Sequence, residues 1–398
     1  MKFKKTARQY LGEMWAPTLG FIFASLALFG VYIYRITDLV PGFSVIEKVS
    51  IASASSARII MNDPLNAPHK VLQYILTRID HTGFIAMRGV SIVIAIGLVA
   101  LFFYIIRRWF SFRVAVMATI LFATSSWMLN ITRLATPDIM VLSIIAAIAY
   151  GAWIPRTKKH RLAVALGFGM VVWLLYVPGL VWFVIFGTIW QRKRVIELMK
   201  SERAVFVLII VGLLALLGPL LFSLYNDPQL LKAYVGLSAD PLNQLAGIPK
   251  RLLLIPVKLV LYNYPVNPVY GIAKLPLLDI FTVVMALLGA FNFFVNDRLL
   301  DRTKIIFGGI MLSCGLYALN GTVGIQILIP FVYLLVAGGI AFMLQQWFKV
   351  FPINPFAKTL ATGMLLIALI MVSFYHANRY YVAWPSIPAT RAAFNQKP

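Results

Sequence analysis

Carboxylates are scarce enough in this chain to be weighed one at a time: 13 Asp and Glu stand against 36 Lys and Arg in 398 residues. Removing a proton from a hydroxyl takes a carboxylate or an imidazole within hydrogen-bond reach, and with four histidines the carboxylates are the main source of such a base. Glu13, Glu197, Glu202, Asp297 and Asp301 sit among basic neighbours in short connections and read as solvated charges. Asp38, Glu47, Asp63, Asp80, Asp138, Asp227 and Asp240 fall in the opposite set of connections with His69 and His81, and Asp279 opens an apolar run. Ionisable residues inside or at the edge of apolar spans are costly, so Arg88, Arg133 and Asp138 stand out. Arg133 and Asp138 lie five apart in TRLATPD, where Pro137 opens a new helix. That spacing suits either an ion pair stapling a corner or a working pair. Cys314, the one cysteine, lies in an apolar run, so neither a disulfide framework nor a cysteine metal cluster is expected.

The elements that position these groups are hydrophobic spans. The chain is 61% hydrophobic and 12% charged, with a mean hydropathy of +0.86, whereas a soluble domain averages about 45 to 50% apolar and about 25% charged. An all-α polytopic membrane protein is expected, one integral domain over 1–398. About eleven spans of about 20 apolar residues fit, near 15–34, 84–106, 113–130, 137–154, 162–176, 178–190, 204–224, 276–295, 303–320, 323–344 and 357–377. The fifth and sixth meet at Tyr176-Val177-Pro178-Gly179, a tight hairpin between two spans or a kink in one longer element. The basic N-terminal stretch precedes an apolar run longer than a signal-peptide core, without a small-residue cleavage site, and is expected to stay as span one.

The net charge of +23 belongs to the membrane rather than to nucleic acid, because the basic residues punctuate spans. More than half of them fall in one alternate set of loops. The positive-inside rule then puts residues 1–14 in the cytoplasm, the C-terminus outside and the chain in the plasma membrane. Two outer segments are long, 35–83 and 225–275. Within the first, Val49 to Met61 and Lys70 to Ile79 read as short amphipathic helices at the interface; within the second, Leu252 to Leu261 is too short to span. Long loops in a compact protein usually carry function.

Four strings resemble GT-C type membrane glycosyltransferases, in particular the group of protein O-mannosyltransferases and lipid A aminoarabinose transferases. Val40-Pro41-Gly42-Phe43-Ser44-Val45-Ile46-Glu47 resembles a first outer-loop pattern that ends in an Asp-Glu pair. Ala67-Pro68-His69-Lys70 through Gly83 to Arg88 is similar to a Pro-Pro-Leu helix followed by Gly and then by an Arg opening span two. FATSSWMLNITRLATPD, residues 122–138, resembles a small-residue turn and Arg-to-Asp segment, and ILIPFVYLLVAGGI resembles a late span. The likeness covers most of 36–190 and that late span. Ile46 stands where the pair has Asp, and no lysine stands at Tyr176 or Val177, where spans five and six meet.

The resemblance implies an inverting enzyme that moves a sugar from a polyprenyl-phosphate donor to a protein, lipid or glycan acceptor at the outer face, among membrane lipids and without metal or other cofactor. By that logic Glu47 is the base, Asp138 orients the acceptor or acts as a base from behind it, and Asp38 is the reserve base if Glu47 points away. Arg133, Lys70, Lys258 and Arg88 are the candidates for the donor phosphate. Tyr262, Tyr264 and Tyr270 line a sugar or belong to the aromatic belt. Two other readings stand beside this one: a lipid or saccharide transporter or flippase, and a non-catalytic relative that only binds lipid-linked saccharide.

Overall fold

The structure is a computed structural model and describes residues 20, 23–79, 83–154, 160–193, 196, 203–238, 244–263, 267–272, 274–297 and 300–396. The expected N-terminal cytoplasmic segment, Asp80, His81, Asp240 and Tyr264 lie outside the described residues. The described residues are mostly helical, and their extended pairing is limited to two isolated bridges, Phe43 with Gln396 and Leu237 with Asn320. Among them, four helices are long and apolar enough to cross a membrane: Phe84–Trp109, Ile209–Asn226, Ile325–Val350 and Pro355–Ser386. A fifth counts if the bent pair Phe112–Thr124 and Ser126–Thr132 is one span.

After α1 (Phe23–Ile33) the first long loop folds into three short helices, α2 (Val45–Ser53), α3 (Ala57–Asn62) and α4 (Ala67–Ile79). Two of them expose apolar stripes, Val45, Ile46 and Val49 on α2 and Val71, Leu72 and Ile75 on α4, as helices lying in an interface do. α5 (Phe84–Trp109) is an unbroken apolar run with Arg107 and Arg108 in its last turn, where cations suit the helix dipole. α6 (Phe112–Thr124) and α7 (Ser126–Thr132) were expected as one span. Instead the Thr124-Ser125-Ser126 run breaks the helix with a 59° bend, because short hydroxyl side chains compete for backbone groups. Ser125 Oγ accepts from Met128 N–H at 3.2 Å and restarts the helix.

Pro137 opens a 3₁₀ turn over Pro137–Ser143 that runs into α8 (Ile144–Trp153). α9 (His160–Leu175) and α10 (Val181–Trp190) are separate helices joined by the Pro178-Gly179 turn, so the hairpin alternative is the one observed. Gly179 has φ +77°, a conformation that favours glycine. Then follow α11 (Arg203–Asn226), α12 (Pro228–Val235), α13 (Ile248–Val260), α14 (Ile280–Val295), α15 (Asp301–Ala318), α16 (Ile329–Val350), α17 (Pro355–Asn378) and the terminal α18 (Pro388–Ala393).

α16 is the axis of the molecule, buried continuously from Ile329 to Ala341. It packs closely on α14, since a Cβ at Gly289 would run into the Leu335 carbonyl and one at Gly339 into that of Met285. Small residues at such a seam let helices meet where no hydrophobic force drives them together. α17 and the later part of α11 instead keep large apolar side chains exposed, Phe374 and Phe222 among them, as lipid-facing helices do. A buried chain ties the far end of α17 inward: His376 Nε2 meets Asp279 Oδ2 at 2.9 Å, and its Nδ1 meets Ser126 Oγ at 3.2 Å.

Candidate functional site

The chemistry-bearing residues gather at one end of the bundle. There the start of α5, the end of α7, the Pro137 turn, the α9–α10 hairpin and the lead into α16 converge under the α2–α4 loop. Ser223 Oγ donates to the Met61 carbonyl (2.9 Å) and Asn66 N–H to the Tyr176 carbonyl (2.7 Å), so the loop is tied to the helix ends.

Glu47 sits on this wall and is fully buried. Ser44-Val45-Ile46-Glu47 is a capping box: Ser44 Oγ accepts from Glu47 N–H, and Glu47 Oε2 accepts from Ser44 N–H at 2.9 Å. Arg88 donates from Nε to Oε1 at 2.9 Å and from Nη2 to Oε2 at 3.2 Å, while Ala135 N–H donates to Oε1 at 3.0 Å. Arg88 spends its other bonds on the Ile36 and Gly42 carbonyls, 3.0 Å each, and lies against the rings of Phe43 and Phe84. The pair welds α2, α5 and the 133–136 segment into one block. Both Glu47 oxygens are occupied, which leaves a substrate hydroxyl no lone pair, and Arg88 has little left for a phosphate.

On the other side of the same segment lies a cavity of about 340 Å³. Asp138, Asp63, Lys70, Ser50, Asn66 and Gln326 are among its lining residues, and Ile46 and Val49 stand at its α2 side. Asp138 is held from behind: Thr136 Oγ1 and Tyr270 OH both donate to Oδ2, at 2.6 and 2.7 Å. Burial, and then the Asp138 carboxylate, hold the Tyr270 phenol above its ordinary range, so it stays a donor. No described residue hydrogen-bonds to Asp138 Oδ1. Lys70 Nζ donates to Asp63 Oδ2 and to the Asp63 carbonyl, 2.7 Å each, with the ammonium side chain nearly buried and the carboxylate half-exposed. The charged lining side chains are thus two carboxylates and one ammonium.

A second cavity, of about 290 Å³ and almost wholly apolar, lies between α8, α9, α10, α15 and α16. Val141 and Val177 line the polar cavity, and Ile144 and Leu174, three residues away on each segment, line the apolar one. The two spaces therefore succeed one another along the same helices.

The remaining expected residues lie elsewhere. Asp38 makes an exposed pair with Arg35 at 3.2 Å. Lys258, on α13, donates to Tyr317 OH at 3.0 Å and does not line either large cavity. Tyr262 is partly exposed beside Lys274. Arg133 does not pair with Asp138; it faces the opposite side of the 133–138 segment, where Nη2 donates to the Tyr34 carbonyl at 2.6 Å. The sequence places Asp63 only among the outer-loop acids, and Asn66 and Gln326, which carry no motif, were passed over. The S-x-x-E spacing of the capping box was the available signal for Glu47. Among the described residues no group of three or more His, Cys, Asp or Glu is placed to hold a metal ion.

Comparison with known proteins gives no assignment: no protein-family model, curated protein or solved structure matches this chain.

Proposed function

We propose that the protein is an integral membrane glycosyltransferase of GT-C type, with eleven spans crossing the bilayer and the polar cavity at the outer face. It transfers a sugar from a polyprenyl-phosphate donor to a hydroxyl acceptor. The observation that carries this reading is the pairing of a polar cavity, containing a carboxylate with one open oxygen, with an apolar cavity directly along the same helices. A ligand with a saccharide head and an isoprenoid tail fits both. Carboxylates, amides and hydroxyls lining the polar cavity suit a polyhydroxyl ligand, and carbon-rich walls suit the tail.

In this reading the base is Asp138 rather than Glu47. The acceptor hydroxyl lies against Asp138 Oδ1, and its oxygen attacks the anomeric carbon from the face opposite the phosphate. The proton passes to Oδ1 as the glycosidic C–O bond to phosphate breaks, and the electron pair leaves with the lipid phosphate, so the configuration inverts. Thr136 and Tyr270 fix the carboxylate in one orientation, which is where positioning contributes to rate. Lys70 is the cation for the phosphate, and its pair with Asp63 opens or is shared when the donor binds. The excess of carboxylate in the lining supports a second reading, a binder of neutral saccharide without transfer.

The test is transfer of labelled sugar in membranes containing the purified protein, supplied with polyprenyl-phosphate sugars as donors. The proposal expects label in a protein, lipid or glycan acceptor and release of polyprenyl phosphate. Saccharide binding with no release of lipid phosphate from any donor would favour the second reading.

A further inference from the structure

Tyr270, which grips Asp138 from behind, comes from residues 267–272, a turn between helices. A side chain on such a turn is fixed only as far as other groups pin the backbone. Trp384 Nε1 donates to the Pro268 carbonyl and Asn130 Nδ2 to the Val269 carbonyl, 3.0 Å each, and Arg379 Nη2 holds the Pro276 carbonyl a few residues on, at 2.6 Å. The Asn130 bond lies nearest the site, because the Val269 carbonyl and the Tyr270 N–H belong to one peptide unit. That unit is held at both ends, since Tyr270 N–H donates to the Asn267 carbonyl at 3.0 Å. Asn130 lies on α7, past the bend at Ser125, where every residue is buried and an amide costs free energy unless it is hydrogen-bonded. Its Oδ1 has no hydrogen-bond partner among the described residues, and neither has Nε of Arg379, also buried, on the wide turn Arg379–Ala383 that follows α17. Both residues line a cavity of about 20 Å³, as does Tyr270. On this measure of volume one water needs about 10 to 15 Å³, with at least two polar partners. A water accepting from Arg379 Nε and donating to Asn130 Oδ1 meets both conditions.

We propose that Asn130 is a positioning residue for the Asp138 carboxylate, acting through the Val269–Tyr270 peptide, and that one ordered water joins it to Arg379. The catalytic consequence rests on the reading of Asp138 as the base. Asn130 does not line the polar cavity. It sets where the Tyr270 hydroxyl sits, and so which oxygen of Asp138 stays open to the acceptor. The water brings the C-terminal segment into the same device, because a shift of Arg379 reaches the carboxylate through amide, peptide and phenol.

The experiment joins structure and kinetics on the full chain in lipid nanodiscs. A high-resolution map of the unaltered protein should show water density between Asn130 Oδ1 and Arg379 Nε, a result that does not rely on any variant folding. In Asn130→Ala the Tyr270 hydroxyl should leave Asp138; Asn130→Asp, which keeps the size and removes the donor to Val269, serves in its place if the smaller side chain unfolds the protein. Transfer by Asn130→Ala should fall about tenfold in kcat with donor KM unchanged, the mark of lost orientation. Tyr270→Phe should lose a similar amount, and the double variant no more than the larger single loss, because both act along one path. Absence of transfer from every donor would sink the function proposed above, and the two structural readouts would still decide the positioning. No water density at that place, a Tyr270 hydroxyl still on Asp138 in the variant, or losses that multiply in the double variant would overturn the assignment.

Discussion

Glu47 and Asp138 border one short segment of chain, residues 133–138, and show what separates a structural carboxylate from an available one. Glu47 is fully buried, meets donors on both oxygens and is paired with an equally buried arginine. Asp138 takes both its bonds on one oxygen and presents the other to a cavity. The difference lies in where the donors sit: the capping box and Arg88 enclose Glu47 from both sides, whereas Thr136 and Tyr270 approach Asp138 from one. A charge that completes a fold and a charge that can accept a proton from a substrate are distinguished by occupancy of lone pairs rather than by residue type.

The sharpest way to break this contrast is at the buried pair. Arg88→Met leaves Glu47 buried without its partner and should cost roughly 3–5 kcal/mol, seen as loss of monodisperse protein or a large fall in melting temperature. Glu47→Gln with Arg88→Met should recover part of that loss, and a double cycle with additive effects would mean the pair is not the unit described. Next comes His69, buried against Ser91 with Nε2 to Oγ at 3.1 Å. Burial, and then Lys70, lower its pKa from 6.5 to about 3. As pH falls below 6.5 the unfolded chain takes up a proton that the folded chain refuses, so stability declines down to about pH 3, by at most about 1.4 kcal/mol per pH unit. Melting followed over that range should show the decline, and His69→Gln should flatten it.

Smaller still, Lys70→Gln should raise KM for a polyprenyl-phosphate donor about tenfold, about 1.4 kcal/mol, with less effect on kcat. An unchanged KM would move the phosphate contact elsewhere. Asp38→Asn marks the bottom of the scale, because its pair with Arg35 is exposed and such pairs contribute about 0–1 kcal/mol. No measurable change in melting or transfer is expected.

Much of the frame was legible in the sequence because it depends on local spacing. Apolar runs located the helices, Pro137 marked a helix start, and the loop segments around Val49 to Met61 and Lys70 to Ile79 became α2, α3 and α4. The break at Ser125 was missed because hydrophobicity continues through it, and the competition of small hydroxyl side chains for the backbone does not alter the apolar pattern. The site was less legible. Its pairings join residues far apart, Glu47 with Arg88 over 41 positions and Asp138 with Tyr270 over 132, and no periodicity encodes them. Arg133 and Asp138, close in sequence, face different spaces because one caps the end of α7 and the other lies in the 3₁₀ turn that Pro137 opens, with the chain bending between them. The scarcity of the chemical types is legible in the sequence, but which carboxylate keeps a free oxygen depends on packing.

Asp138→Asn tests the central claim most directly, by measuring melting temperature and transfer from a polyprenyl-phosphate sugar on the same preparation. The amide keeps the shape and stays within about 1 kcal/mol in stability, so melting should change little, while transfer falls by at least about 100-fold through loss of the proton acceptor. Transfer at the unaltered rate in a stably folded Asp138→Asn protein would contradict the account.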